Sequence, residues 1–270
     1  MNQTIHNLLT GQLASWETAR NNYAALSGVR VKELNVNGIP YKVQFNPARI
    51  VSSGAKVDAK SIQERKCFLC PANLPPVQKG IPFGGHYHIL VNPFPIFPRH
   101  LTIPELAHTP QRIASRFTDM LELAEALTEY TIFYNGPRCG ASAPDHAHFQ
   151  AGNKGFMPIE KDWRGQTAGK IADYRKAALW YLDDAPRATL VIESTSKEDA
   201  ADLFDIIYRS LDVKPEEDEP MMNVLVLYEA DRWVVFVFPR EKHRPACYTA
   251  EGEALSLIHI SEPTRLQLIS

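Results

Sequence analysis

The sequence lacks three features that would each assign it to a broad class of protein. It has no run of the roughly 18–20 apolar residues that a membrane-spanning helix requires. Its N-terminus lacks the charged and then apolar order of an export signal, so we expect a cytoplasmic protein. Its formal net charge of −2 argues against a uniformly basic surface for nucleic acid, but it is compatible with a local basic pocket.

Cysteine is scarce as well, and the chain of 270 residues contains only Cys67, Cys70, Cys139 and Cys247. In a reducing compartment, a close cysteine pair indicates metal or redox chemistry more often than a structural disulfide. The prolines, in contrast, are concentrated between residues 71 and 110, which predicts a rigid segment rich in loops.

The periodicity of apolar residues predicts an α+β fold. Thr109 and Pro110 suit the start of a helix over residues 109–130. Ser196 and Asp199 resemble a capping box at the start of a helix over residues 196–211. Short turns between strands and irregularly spaced helices favour an antiparallel sheet over a doubly wound parallel one. Helical spacing occurs over residues 5–26, 109–130 and 196–211, strand alternation over 40–51, 86–94, 131–136 and 188–194, and a hairpin pattern over 221–240.

The C-terminal residues 255–270 do not continue this pattern. Their sequence, "LSLIHISEPTRLQLIS", resembles translated sequencing-adapter sequence. We therefore expect a single domain over residues 1–254, followed by a non-native tail.

The segment "APDHAHFQAG" (143–152) combines groups that could transfer a phosphoryl group. Alternation places His146, His148 and Gln150 on one face of a strand. An imidazole attacks phosphorus well when an acceptor holds its far nitrogen and when donors surround the phosphate. Ser142 and Gln150 could supply such donors. A solvated polar strand face is the simpler alternative, because the motif is short.

The cysteine pair in "RKCFLCPAN" (65–73) offers two thiolates to a tetrahedral metal, usually zinc, which needs two further ligands. A redox dithiol and a chance pairing are the alternatives. The prolines that follow Cys70 disfavour the redox motif, which normally opens a helix. The histidines available as further ligands are His86, His88, His100, His108 and His146.

A basic cluster in "FPREKHRP" (238–245) follows a strongly apolar strand. Arg240, Lys242 and His243 could bind a phosphate or a pyrophosphate, with arginine providing a bidentate fork. The alternative is a solvated turn after the hairpin.

These motifs together resemble the galactose-1-phosphate uridylyltransferase branch of the histidine-triad (HIT-like) superfamily. The resemblance covers residues 40 to 152 and is carried by "CFLC" with Asn73, by "FPRHLTIPEL" (97–106) and by "YNGPRCGASAPDHAHFQ" (134–150). Ala147 and Asp145 depart from the pattern of that branch. The motif "HFQA" is closer to the corresponding motif of GDP-hexose phosphorylases, and "NGPRCGAS" is similar to that of diadenosine-tetraphosphate phosphorylases. We place the chain in a separate bacterial branch near these two groups.

The resemblance implies a HIT-like domain whose antiparallel half-barrels and flanking helices repeat loosely over residues 30–155 and 156–254. It implies that His148, assisted by Gln150, forms a covalent nucleotidyl-histidine. The implied ligands of a structural zinc ion are Cys67, Cys70, His100 and His146, with no organic cofactor. The implied phosphate contacts are Asn135, Ser142 and, on a looser match, Arg49.

The expected function is therefore that of a nucleotidyltransferase or phosphorylase acting on a nucleoside-diphosphate sugar or a dinucleoside polyphosphate. Gln150 argues against a hydrolase, because hydrolytic relatives carry a histidine there that can donate a proton to the leaving group. A HIT-type hydrolase and a non-catalytic, zinc-stabilised nucleotide-binding protein are the alternatives. We expect a small-molecule nucleotide as partner, with no nucleic acid or membrane, and the resemblance allows a homodimer.

Overall fold

The computed structural model describes residues 1–36, 38–46, 59–165, 168–182 and 188–242. The helices are α1 (Asn2–Ser15), α2 (Glu17–Ala24), α3 (Ala59–Glu64), α4 (Phe117–Ala126), α5 (Ile159–Asp162) and α6 (Lys197–Ser210). The strands are β1 (Arg30–Val36), β2 (Ile39–Phe45), β3 (Gly80–Phe83), β4 (Tyr87–Val91), β5 (His100–Pro104), β6 (Tyr130–Asn135), β7 (His148–Asn153), β8 (Ala168–Tyr174), β9 (Ala177–Leu182), β10 (Leu190–Ser194), β11 (Met222–Glu229) and β12 (Arg232–Pro239).

Ten of the strands form one antiparallel sheet in the order β3-β4-β5-β7-β6-β11-β12-β10-β9-β8. The strand order is the same when counted inward from either edge of the sheet. Each half consists of two outer strands, a third strand, a helix and a closing hairpin. Strands β6 and β11 join the two halves. The predicted α+β class with an antiparallel sheet is therefore confirmed, and β1 and β2 form a separate hairpin.

The main core lies between the sheet and helices α4 and α6, where the rings of Phe117 and Phe204 stack at 3.7 Å. Alternation along β7 sends Phe149 and Ala151 into this core and turns the neighbouring side chains to the opposite face of the sheet. In the second half that opposite face is covered by apolar side chains, which include Leu225 and Phe236. In the first half it borders a cavity.

The helix predicted over residues 109–130 is shorter than expected, because α4 begins at Phe117. Thr109 precedes a proline, which disfavours helical backbone at that position. Its carbonyl accepts from the N–H of Ala147 at 2.7 Å, and the N–H of Gln111 donates to Pro144 O at 3.1 Å. The backbone groups of this segment therefore bond to the loop before β7 instead of starting a helix.

Other local predictions hold with changed boundaries. The N-terminal helix divides into α1 and α2 at Trp16, whose backbone is extended. Ser196 caps α6 by accepting from the N–H of Asp199 at 3.2 Å, as predicted. Residues 221–240 form the predicted hairpin of β11 and β12. Strands β8 and β9 lie in a part of the chain to which the sequence analysis assigned no element.

The N-terminal helices are hydrogen-bonded to the first half of the sheet. The Gln12 side chain donates to Val77 O at 3.0 Å and accepts from the N–H of Lys79 at 2.9 Å. The Tyr23 hydroxyl donates to His100 O at 2.9 Å. These bonds join α1 to the segment before β3 and α2 to the start of β5. Within the part of the chain that the structure describes, no helix is long and apolar enough to cross a membrane.

Gly152 on β7 allows the Phe97 ring to lie directly against the sheet. A Cβ at this position would meet three atoms of that ring at 2.7–2.8 Å. Because Phe97 is buried, we expect Gly152→Ala to lower the free energy of unfolding by about 1–3 kcal/mol, the usual cost of overpacking. Urea unfolding of the purified protein measures this change.

Gly11→Ala is the matched control, because Gly11 lies inside α1 with open space around it. Alanine favours helix over glycine by about 0.5–1 kcal/mol, so this control should be slightly stabilising. Equal stability of the Gly152→Ala protein and the parent would contradict the close packing of Phe97.

Candidate functional site

A cavity of about 570 Å³ lies against the first half of the sheet, on the face opposite the main core. Its walls are the α1–α2 junction, strands β4, β5 and β7, and residues 66–75, which we call the cysteine loop. Three residues predicted from the sequence meet there, since Ser142, His148 and Gln150 all line it. Apolar side chains form much of the remaining wall, among them Trp16, Phe68, Leu74, Leu90 and Phe94.

His148 opens strand β7 and is buried. Its Nδ1 lies 2.8 Å from the carbonyl oxygen of His146. A carbonyl can only accept, so Nδ1 carries the hydrogen and the lone pair of the neutral ring is on Nε2. Burial lowers the pKa of the His148 imidazole to about 4, so the ring is neutral at pH 7. Attack by Nε2 requires an acceptor for the hydrogen on Nδ1, and in this site that acceptor is a backbone carbonyl.

The expectation that His146, His148 and Gln150 share one strand face is only partly right. Strand β7 begins at His148, so His146 lies in the turn before it, and its ring points to the cysteine loop. His148 and Gln150 follow the alternation and line the cavity.

The side-chain amide of Gln111 holds the start of β7 in place. Its Oε1 accepts from the N–H of His148 at 2.7 Å, and its Nε2 donates to the carbonyl oxygens of His148 and Asn135, both at 3.0 Å. The amide therefore links the ends of β6 and β7, as a ladder hydrogen bond would. The sequence analysis missed Gln111 because it assigned this residue to the first turn of a helix.

His100 does not lie where the sequence placed it. The structure does not bring its ring to the cysteine pair, because its Nε2 lies 3.1 Å from Oε1 of Gln150 and its Nδ1 accepts from the N–H of Ile96 at 3.1 Å. Nε2 is thus directed toward β7, and Nδ1 is directed toward the turn before β5. His108, another of the five histidines that the sequence offers as further ligands, takes its place in the cluster.

A second polar group lies at the ends of β6, β11 and β12. Arg240 donates to Oδ1 of Asn223 at 2.7 Å, and Asn223 Nδ2 donates to Oδ1 of Asn135 at 2.7 Å. Two predicted phosphate contacts, Asn135 and Arg240, are therefore connected through a residue that the sequence analysis missed. The side chain of Lys242 is exposed. The backbone carbonyl of Lys242 accepts from Arg240 at 3.2 Å. Two further predicted residues, Arg49 and His243, lie outside the described residues.

Four possible metal ligands converge beside the cavity. One ligand atom from each of Cys67, Cys70, His108 and His146 lies within 4.8 Å of all the others. The Sγ of Cys67 is 3.3 Å from Nδ1 of His146, and the Sγ of Cys70 is 3.2 Å from Nδ1 of His108. Asn73 steadies the loop by donating to Cys67 O at 2.9 Å. This set could hold a metal ion.

The chemistry of the donor set fits a tetrahedral metal. Zinc takes thiolate and imidazole ligands at about 2.0–2.3 Å, so its ligand atoms must lie close together, as the sulfur–nitrogen pairs of this cluster do at 3.3 and 3.2 Å. His146 donates its Nε2 hydrogen to Glu105 O at 2.8 Å, and this leaves Nδ1 for the metal. His108 Nε2 lies 3.8 Å from Oδ2 of Asp145, so a carboxylate faces the outer nitrogen of the second imidazole.

The thiol of Cys67 is prepared for ligation. Burial raises its pKa, but the nearby His146 ring and backbone N–H groups outweigh this effect and lower the pKa of Cys67 to about 6. Cys139 is different, because burial raises its pKa to about 12. A raised pKa is typical of a buried structural thiol and not of a nucleophile.

Nine chains of solved structures match this chain, and they include the following three. Yeast Ap4A phosphorylase Apa2 shares 20% identity, with 84% of this chain and 78% of that chain covered and a TM-score of 0.49. Its complex with Ap4A shares 18% identity, with 84% and 81% covered and a TM-score of 0.48. A DUF4931 family protein from Bacillus cereus shares 19% identity, with 60% and 85% covered and a TM-score of 0.44.

No curated protein matches the sequence. The family model described as "Domain of unknown function (DUF4922)" matches residues 8–153. These residues extend from α1 to the end of β7, and they contain the cysteine loop, Gln111 and His148. Since the match spans more than half of the 270 residues, this chain belongs to the DUF4922 family.

Proposed function

We propose that the protein is a nucleotidyltransferase that carries a nucleotide on Nε2 of His148 for part of each reaction cycle. The observation that carries this proposal is the state of that ring. It is buried and neutral, its Nδ1 hydrogen is directed to His146 O, and it lines a cavity together with Gln150 and Ser142. A histidine that only supports the fold would not need to border a cavity.

The proposed reaction has two displacements at the same phosphorus atom. In the first, the Nε2 lone pair forms a bond to the α-phosphorus, while the bond to the bridging oxygen breaks and the leaving phosphate keeps that electron pair. In the second, an oxygen of inorganic phosphate or of a sugar phosphate attacks the α-phosphorus. The phosphorus–nitrogen bond then breaks, and its electrons return to Nε2.

The surroundings of His148 suit this chemistry. The nucleotidyl-imidazole carries a positive charge, and the His146 carbonyl dipole at Nδ1 stabilises it. The Gln150 amide and the Ser142 hydroxyl can donate to phosphoryl oxygens. Gln150 cannot transfer a proton, which favours a leaving group that is itself a phosphate over the poor leaving groups of a hydrolase.

The character of the cavity supports a nucleotide as substrate. None of the described residues that line it is lysine, arginine, aspartate or glutamate. Trp16, Phe68 and Phe94 offer apolar and aromatic surface on which a base can lie, and four of the polar lining residues lie on β5, on β7 or in the loop before β7. A nucleoside-diphosphate sugar or a dinucleoside polyphosphate combines a base with the phosphoanhydride that the proposed reaction breaks.

We further propose that the four-residue cluster holds a structural zinc ion. The ion would join the cysteine loop to the turn before β7, and His146 would connect it to His148 through a single peptide carbonyl. Four protein ligands leave no open position for water or substrate, as is typical of structural zinc sites.

Replacing His148 tests the covalent step. The parent protein, mixed with α-³²P-labelled GDP-hexose, UDP-hexose or labelled diadenosine tetraphosphate, should acquire acid-labile label, because phosphorus–nitrogen bonds hydrolyse in acid. His148→Ala should carry no label. Adding inorganic phosphate should discharge the label from the parent and release the nucleotide.

The matched control is His86→Ala, because His86 is a half-exposed histidine that does not line the cavity. It should be labelled like the parent. Turnover that requires only water and leaves no label would overturn the transferase in favour of a hydrolase. Nucleotide binding with neither label nor turnover would favour a non-catalytic protein.

Elemental analysis tests the metal and its ligands. We expect about one zinc ion per chain in the parent, and much less in Cys67→Ser and His108→Ala, because a structural site needs its full ligand set. The two variants should also melt at lower temperature, since binding of the metal contributes to folding.

The control for the ligand set is His100→Gln. The ligands implied by the family resemblance include His100, whereas the structure has His108 in that place. Zinc retained in His100→Gln and lost in His108→Ala is the expected result. The reverse pattern would refute the arrangement seen in the structure, and full zinc content in every variant would refute the site.

A further inference from the structure

His100 is buried at the start of β5, away from the four possible metal ligands. The rings of Phe97 and Phe133 lie against it, with centroids 5.2 and 6.0 Å from its own. The Tyr23 hydroxyl contacts both backbone groups of His100, at 2.9 Å from its O and 3.3 Å from its N. The imidazole is therefore held in one orientation from several sides.

The hydrogen bonds of the ring fix its tautomer. The backbone N–H of Ile96 can only donate, so Nδ1 of His100 accepts from it at 3.1 Å and carries no hydrogen. A protonated ring would set two donors against each other at this contact, so the ring is neutral and its single hydrogen is on Nε2. That nitrogen lies 3.1 Å from Oε1 of Gln150 and donates to it.

The same bond determines the orientation of the Gln150 amide. An amide carries its oxygen on one side and its NH₂ group on the other, so a donor that holds the oxygen directs the NH₂ group away from His100. Gln150 lines the cavity beside His148, two residues away on the same face of β7. With the opposite orientation, the amide oxygen would face a phosphoryl oxygen and repel it.

We propose that His100 is a positioning residue that holds Oε1 of Gln150, so that the Gln150 NH₂ group donates to a phosphoryl oxygen of the substrate bound at His148. This inference rests on the proposed function. It gives His100 a part in nucleotidyl transfer, although the residue contacts neither the metal cluster nor, in this arrangement, the substrate itself.

The tautomer can be tested without any substrate. In the ¹⁵N-histidine spectrum of the ligand-free parent, His100 should show a hydrogen-bearing Nε2 and a bare Nδ1, and its signals are assigned by their absence from His100→Gln. In Gln150→Met the Nε2 hydrogen loses its acceptor, so its resonance should shift and exchange faster with solvent. A hydrogen on Nδ1, or a doubly protonated ring at pH 7, would overturn the proposal.

A double-mutant cycle tests the coupling between the two side chains. We expect Gln150→Met to slow labelling of His148 on the order of a hundredfold, as loss of one transition-state donor does. His100→Met should slow it to a similar degree, and the double variant should be no slower than Gln150→Met alone. His100→Gln should restore much of the rate, because its amide can donate where Nε2 does.

Additive effects in the cycle, or normal labelling by His100→Met, would overturn the positioning role. Near-UV circular dichroism and melting temperatures of all variants identify any that are misfolded. If the parent itself carried no label with any of the nucleotides, the proposed function would fail, and the spectrum of the parent would still decide the tautomer and the orientation of Gln150.

Discussion

The hydrogen bond from Nδ1 of His148 to the carbonyl oxygen of His146 joins the proposed nucleophile to the possible metal ligands. The carbonyl fixes the tautomer of the His148 ring. The residue that supplies the carbonyl has its own ring in the cysteine cluster, and its Nε2 is held by Glu105 O. A loop more than seventy residues away in sequence, the cysteine loop, therefore determines where the proposed nucleophile lies, and the same loop forms part of the cavity wall.

Neutral amides supply many of the hydrogen bonds that organise the interior of this site. Gln111 links the ends of β6 and β7, Gln150 accepts from His100, and Asn223 connects Asn135 to Arg240. A buried amide avoids much of the desolvation penalty of a buried ion, and its donor and acceptor ends give each contact a direction. On the proposed function, such amides would orient the phosphoryl oxygens in a cavity that has no charged side chain among its described lining residues.

The two halves of the sheet share a topology but differ in what they carry. In the second half, the face that corresponds to the cavity is covered by Leu225 and Phe236 and contributes only packing. In the first half, glycine at position 152 lets Phe97 cover part of the sheet, and the rest of that face is left for His148 and Gln150. The difference lies in the side chains of equivalent strands, since the strand order is the same.

The sequence by itself determined the antiparallel α+β class and the shared strand face of His148 and Gln150. These depend on alternation along one stretch of chain, which is a local property. The approach of the cysteine pair to His146 was implied only by the family resemblance, since these residues are 76 and 79 positions apart. Only the tertiary structure decided that His108 joins the cysteines, that His100 turns to Gln150 and that Gln111 clamps β7. Each of these contacts joins segments at least 37 residues apart, and their pairing depends on how loops pack against one another.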